Sequence, residues 1–381
     1  MDKNFEIIAK TLFGMESLLA KELTELGAQK VRIGNRMVSF YGDKGFIYKS
    51  NLSLRTAIRI LKPILKFNAS NEFELYDAIS SIDWTNIIPL NKSFRVDSVI
   101  YGEIFKNSLY VSQKVKDSIV DKIKFDTGKR PSISIEDPDF RINIHIDNKK
   151  CTLSIDSSGI SLHQRGYRLA TEIAPINEVL AAGILLHSNW DGDSDFLDPF
   201  CGSGTIPIEA AMIAFNIPAN INRKKFSFEN WNDWDEQLFY TIEESLLKKI
   251  KPKSIKIMGS DILNSAVEKS LINVESANLS EFINIKKENF LNSSKIIDKQ
   301  LKIVTNPPYG ERINGDVFNL YSDIGTTLKH KYINTDVWII SSNLKAIKNI
   351  GLKTSKKIKL MNGKLDSQLN NYSIYKGSKK K

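Results

Sequence analysis

From about residue 165 onward, short apolar runs recur and each stops at a polar residue: "DFLD" at Asp198, "SIKIMGSD" at Asp261, "INIKKEN" at Asn289, "LKIVTN" at Asn306 and "DVWIISSN" at Asn343. Stretches with helical spacing lie between them. Strands and helices that alternate in this way bury themselves by laying helices on both faces of a mostly parallel sheet, so the pattern predicts a doubly wound α/β domain over residues 165–381. In such a sheet ligands sit beyond the carboxyl ends of the strands, and the polar ends become the place to look for chemistry.

Residues 195–215, "DFLDPFCGSGTIPIEAAMIAF", read as strand, glycine turn and helix. Gly202 and Gly204 let the backbone approach a ligand closely, Ser203 and Thr205 bring hydroxyl donors, and the helix start behind them favours negative charge. A dinucleotide site would want G-x-G-x-x-G and a triphosphate site a lysine closing a longer loop; "CGSGTIP" has neither. Asp198, in front of the turn, would repel a pyrophosphate but can face an ammonium group. S-adenosylmethionine carries that ammonium together with a carboxylate for the backbone amides. Asp198, Pro199, Cys201, Gly202, Ser203, Gly204 and Thr205 are therefore expected to hold it, with an ordinary structural turn as the alternative. A compact βαβ unit would supply an acid for the ribose hydroxyls about 20 residues on, yet none lies between Ala210 and Phe228. Asp261 takes that place, which implies an insertion over roughly 217–253. Its Trp231 and Trp234 are expected to pack a helix onto the domain rather than to stack on bases.

"IVTNPPYGERI", residues 303–313, breaks a buried apolar run with two prolines, which offer no amide hydrogen to a strand ladder. Methyl transfer to an exocyclic amine needs the nitrogen lone pair aimed at the methyl donor, and in a free base that pair is delocalised into the ring. The Asn306 side-chain oxygen and the Pro307 carbonyl can accept the two amino hydrogens and orient the nitrogen. Pro307 and Pro308 stiffen the corner, and Tyr309 can stack on a base flipped out of its helix. A Pro-rich turn with no chemistry is the alternative.

The first half of the chain reads as two α+β units, residues 1–66 and 67–158. "FEIIAKT" is a strand, "MESLLAKELTEL" a helix closed by Gly27, and "VRIGNRMVSFYG" a hairpin turning near Gly34 and Asn35. Residues 44–66 carry Lys44, Lys49, Arg55, Arg59, Lys62 and Lys66 and no acid. A helix is expected to stop near Arg59, with a strand through Pro63. This basic segment is either a solvated face or an RNA contact. In "SLYVSQKVKDSIVDKIK", Ser108 is a candidate N-cap, Val111, Val115, Ile119 and Ile123 form an apolar seam, and Lys114 falls on the other side. "RINIHIDNKKCTLSID" alternates around Asn148-Lys149 as a hairpin.

The excess of 54 Lys and Arg over 44 Asp and Glu, +10 in charge, leans only weakly toward a polyanionic partner. Cys151 and Cys201 stand far apart, and the four histidines form no ligand spacing, so neither a disulfide framework nor a metal is expected. With no apolar run near about 18 residues and no leader-like start, neither a membrane span nor export is expected, which points to the cytoplasm.

Taken with "LHQRGYR" and "APINEVLAAGILL", the motifs "DPFCGSG" and "NPPYGERI" resemble those of the THUMP-domain class I methyltransferases that modify the guanine N2 amino group in RNA. The resemblance implies a Rossmann-like class I methyltransferase domain preceded by a ferredoxin-like domain and an RNA-binding THUMP domain. It implies S-adenosylmethionine as cofactor and RNA as partner, with a bacterial large-subunit (23S) ribosomal RNA (guanine-N2)-methyltransferase as the nearest likeness. By matching position, Asp198, Gly202 and Gly204 fall in the methionine-binding loop, Asp261 at the ribose, and Asn306 to Tyr309 at the target base. Where the family commonly has an Asp for the adenine amino group, "KKENF" offers Asn289 or Glu288. Some members carry a second methyltransferase domain with no counterpart in this sequence, which leaves the target nucleotide open.

Arg55, Arg59, Lys114, Arg165 and Arg168 are the candidate RNA contacts, with Arg165 and Arg168 of "RGYR" alternatively bracing the domain linker. Transfer is expected to be direct, since no cysteine lies near the Asn306 corner; Glu311 could help with the proton or be structural. The rivals are an adenine-N6 methyltransferase on DNA or RNA, a tRNA guanine-N2 methyltransferase, and a non-catalytic RNA-binding assembly factor with a vestigial pocket.

Overall fold

The computed structural model describes residues 4–171, 175–295, 299–309 and 316–376. Glu311 and the "GSKKK" tail beyond Lys376 lie outside them. The N-terminal elements are β1 (Phe5–Thr11), α1 (Glu16–Leu26), β2 (Gln29–Gly34), β3 (Met37–Gly42), α2 (Lys44–Ser53), β4 (Ala57–Asn68), α3 (Glu72–Ser80), β5 (Ser93–Tyr101), α4 (Ser108–Thr127), β6 (Ser132–Ile133), β7 (Phe140–Asp147) and β8 (Lys150–Asp156). They form one eight-stranded sheet in the order β2-β3-β1-β4-β8-β7-β5-β6.

Local chemistry sets these bounds. Gly27 closes α1 at φ 98°, a left-handed position that glycine takes without strain. The β2–β3 and β7–β8 hairpins turn through Arg36 and Asn148 at φ 52° and 54°. The side chain of Asn107, not of Ser108, caps α4 by accepting from Tyr110 N–H (3.1 Å). The helix expected to reach Arg59 stops at Ser53, and Arg59 lies in β4. Pro63 is tolerated within β4 because the register against β8 shifts between Pro63 and Leu65, where the missing amide is accommodated.

The remaining elements are α5 (Glu178–His187), β9 (Asp195–Asp198), α6 (Thr205–Ala214), α7 (Glu236–Leu247), β10 (Ile257–Asp261), α8 (Asn264–Ser276), β11 (Ile283–Lys287), β12 (Leu301–Thr305), α9 (Val317–Lys331), β13 (Thr335–Ser341), β14 (Lys356–Asn362) and β15 (Leu365–Ile374). Their sheet runs β11-β10-β9-β12-β13-β15-β14, parallel from β11 to β13, with β15 antiparallel to both its neighbours. The chain goes from β9 outward to β10 and β11, then returns to the other side of β9 with β12. Strand order therefore reverses at β9, which makes the carboxyl ends of β9 and β12 the place to look for a ligand.

The insertion packs differently from expectation. Phe226, Phe228, Trp231, Phe239 and Leu246 join the core beneath the first sheet, not that of the second. Phe228 and Trp234 stand 4.7 and 5.2 Å from the ring of Tyr48 in α2. The tryptophans do pack, but they join the two halves of the molecule.

Candidate active site

The glycine turn follows β9 directly. Gly202 and Gly204 have φ 53° and 83°, and a Cβ on Gly204 would lie 2.9 Å from Ser270 Oγ of α8. A Cβ on Gly202 would meet nothing within 4 Å, so the turn presents open backbone there. Gly202 N–H donates to Asp261 Oδ2 (3.1 Å) and its carbonyl accepts from Ser270 Oγ (2.9 Å). Asn273 Nδ2 donates to the Ser203 carbonyl (2.9 Å). Ser270 and Asn273 were missed by sequence reasoning; their signal is a pair of polar residues at buried positions of a helix that starts just after Asp261.

Asp198 ends β9 and is 1% exposed. Its Oδ1 accepts from Thr305 Oγ1 (2.6 Å) and Phe200 N–H (3.2 Å). No Lys or Arg among the described residues pairs with it. Burial pushes its carboxyl up to about 7 against these two hydrogen bonds, and the charge of Asp261 adds to the rise. Pro199 and Cys201 are buried, and burial raises the Cys201 thiol far above its ordinary value, followed by the charge of Asp198. Cys201 is thus an apolar filler, not a nucleophile. Thr205 begins α6, and its hydroxyl accepts from Arg168.

Thr305 also fixes the proline corner. It is the last residue of β12, so its bond to Asp198 places Asn306 directly beside the glycine turn across the strand-order reversal. Asn306 Oδ1 is buried and has no hydrogen-bond partner among the described residues. Tyr309, half-buried, accepts at its hydroxyl from Asn362 Nδ2 (2.6 Å), at the turn between β14 and β15. Asn362 carried no signal in the sequence, since it arrives from a hairpin far along the chain.

Asn289 lies beyond β11, as expected, and its Oδ1 accepts from Leu291 N–H (3.0 Å), which uses one of two lone pairs. Glu288 is paired with Lys286 (2.9 Å). Among the described residues no cluster of His, Cys, Asp and Glu could hold a metal ion, and no helix is long and apolar enough to cross a membrane.

Two of the candidate RNA contacts, Arg55 and Arg165, are corrected by their surroundings. Arg55 is buried, and its guanidinium donates to the Met212 and Ile217 carbonyls (3.0 and 2.7 Å) at the end of α6. Arg165, 1% exposed, pairs with Glu209 (2.7 Å) and donates to the Arg55 carbonyl (2.7 Å). Arg168 pairs with Glu178 (2.9 Å) and donates to Ile176 O. Arg55 and Arg165 are bracing residues, their guanidinium groups buried against neighbouring elements, whereas Arg168 is only half-buried and its Nη1 has no hydrogen-bond partner among the described residues. Lys114 lies on the helical side of the first sheet, its ammonium over the rings of Phe73 and Tyr76 (5.8 and 5.4 Å). Arg59 pairs with Asp156 on the opposite face.

Comparison with known proteins matches three successive families: an RlmL ferredoxin-like domain at residues 6–61, a THUMP domain at 69–156 and an RMKL-like methyltransferase domain at 165–371. The chain is 36% identical over 375 residues to "Ribosomal RNA large subunit methyltransferase K/L" of Shewanella loihica, covering 96% of this chain and 52% of that protein. It thus spans about half the length of the curated relatives it matches. The structure of SMU.472 complexed with SAH superposes with a TM-score of 0.87 at 32% identity, covering 99% of this chain and 100% of that one. A predicted N6-adenine-specific DNA methylase from Listeria monocytogenes gives 0.86 at 30% identity, covering 98% and 97%. The fold, the order of domains and these likenesses agree, and the chain belongs to the RMKL-like methyltransferase family.

Proposed function

We propose that this chain transfers a methyl group from S-adenosylmethionine to the exocyclic N2 of a guanosine in RNA, with large-subunit ribosomal RNA as the substrate. The observation that carries the reading is the buried Asn306 Oδ1 beside the glycine turn, which has no hydrogen-bond partner among the described residues. An acceptor left dry costs about 1–3 kcal/mol, and an amino hydrogen of a bound base removes that cost.

The residues present fit the cofactor. A buried carboxylate with no cationic partner among the described residues, Asp198, suits an ammonium group, and the absence of any neighbour within 4 Å of a Cβ at Gly202 leaves room for a ligand to approach the turn. Asp261 and Asn289 stand at the ends of the next two strands, where the ribose and adenine would be held. When bound, S-adenosylmethionine supplies an electrophilic methyl carbon. The chain's own part is orientation. Asn306 Oδ1 and the Pro307 carbonyl accept the two amino hydrogens and turn the lone pair outward, while the Tyr309 ring, held at its hydroxyl by Asn362, stacks on the base. The released proton passes to water.

The names of the curated relatives support ribosomal RNA. The name of the Listeria structure favours the adenine-N6 rival, because the same corner suits any exocyclic amine. Incubation with RNA and labelled S-adenosylmethionine, followed by mass analysis of nucleosides, separates them. N2-methylguanosine is expected; labelled N6-methyladenosine alone rejects the proposal. Asn306→Ala is expected to lower the transfer rate about 100- to 1,000-fold with cofactor affinity unchanged.

A further inference from the structure

The two central strands of the second sheet share a short ladder, pairing Asp195 with Leu301, Phe196 with Lys302 and Leu197 with Ile303. From there β9 stays with β10 as far as Asp198, opposite Gly259, and β12 stays with β13 as far as Thr305, opposite Ile339. Past the shared ladder, the described residues of the glycine turn and the proline corner are joined by one side-chain hydrogen bond, from Thr305 Oγ1 to Asp198 Oδ1 (2.6 Å). Both residues are buried.

Two features give that bond a part beyond bracing. Asp198 Oδ1 also accepts from Phe200 N–H (3.2 Å), which fills both of its lone pairs. Oδ2 accepts from no described residue and is the oxygen left for an ammonium group. One carboxylate thus serves the cofactor with one oxygen and the acceptor corner with the other. Thr305 is β-branched and stiff at χ1, so holding its hydroxyl on Asp198 restricts the direction in which the chain leaves β12. The next residue is Asn306, whose buried Oδ1 is to receive the base.

The strength of the bond depends on charge. A hydrogen bond to an ionised carboxylate is about twice as strong as one between neutral groups. Burial raises the Asp198 carboxyl to about 7, and the charge of Asp261 at the end of β10 adds to the rise. Without cofactor, charged and neutral forms therefore coexist near neutral pH. Its other titratable neighbour, Cys201, stays a neutral thiol. An ammonium at Oδ2 fixes the ionised form and so tightens the hold on Thr305.

We infer that Thr305 is a positioning residue that couples the two halves of the site: a bound cofactor strengthens the hold on the acceptor base, and the base in return strengthens the hold on the cofactor. Reciprocity is required of any such linkage. The inference rests on the proposed methyl transfer but not on which exocyclic amine receives the group.

The test uses the full chain and unmodified large-subunit ribosomal RNA that the wild type has first been shown to label from S-adenosylmethionine. RNA affinity is measured with and without saturating S-adenosylhomocysteine, which carries the same ammonium and carboxylate but no sulfonium charge to draw RNA by itself. The wild type is expected to bind each ligand about fivefold tighter in the presence of the other, the low end of typical couplings. Thr305→Val, close to isosteric, is expected to bring both ratios to about 1 and to lower kcat about 10- to 100-fold. Thr305→Ser, which keeps the hydroxyl, is expected to restore both ratios. Because each ratio is taken within one variant, a general loss of affinity cancels. Absence of coupling in the wild type overturns the inference even if Thr305→Val fails to fold, and so does a coupling that Thr305→Val leaves unchanged. Label on adenine with the coupling intact would remove the proposed base and leave the coupling standing. Label on guanine N2 without coupling would do the reverse, and an RNA that accepts no label at all would remove both.

Discussion

Asp198 is a carboxyl group held near pH 7 by burial, and two opposite consequences follow. In the unfolded chain it titrates near about 4, so folding takes up a proton between those values. The stability this contributes is full below the unfolded value and is lost as pH rises through about 7. Binding a cation requires the ionised form, so cofactor affinity runs the other way. It is expected to rise by up to about tenfold per pH unit as pH approaches 7 from below, and to level off above it. Calorimetric titration with S-adenosylmethionine at pH 6, 7 and 8 checks this, and Asp198→Asn should bind weakly with no such slope. The glycine turn and the Asn306 corner were readable because each is a contiguous stretch of sequence. Thr305 and Asn362 were not, because each acts through a partner distant in the chain.

Among elements, the insertion before β10 has the most to say about how the molecule coheres. Phe228 is fully buried between Phe226, at 5.0 Å and nearly parallel, and Tyr48. Asn220 N–H and Nδ2 donate to the Leu52 and Asn51 carbonyls of α2 (2.9 and 2.7 Å). Phe228→Ala is expected to cost about 3–5 kcal/mol, read by chemical denaturation, since it empties a site shared by both halves. The five parallel strands were legible because each apolar run stops at a polar end. The terminal β14–β15 hairpin was not, since "KKIKLMN" is too charged to announce a strand. The aromatic pattern of the insertion announced packing but not its partner, because hydrophobicity specifies burial without direction.

At the scale of the whole molecule, a buried polar network rivets the two sheets together. Glu22 accepts from the Arg55 and Thr56 amides (2.8 and 3.1 Å), Arg55 grips the end of α6, and Arg165 bridges Arg55 and Glu209. Removing one member strands the other: Arg165→Leu leaves the Glu209 carboxylate buried without its ion-pair partner, held by the Tyr167 hydroxyl (3.0 Å), an expected loss of about 3–5 kcal/mol. Thermal melting should show that loss, and Arg165→Leu with Glu209→Leu should recover most of it. The salt slope of RNA binding should not move, as it would if Arg165 met phosphate. A charged residue in sequence looks like surface, and only the converging Glu209, from a helix of the other sheet, reveals otherwise. The twelve residues of β4 pair with β1 of the ferredoxin-like portion and with β8 of the THUMP portion in a single sheet. No hinge can form along such a shared strand, so that half of the protein is expected to act as a stiff calliper arm, and under the proposed function its far edge would gauge a folded substrate at a set reach.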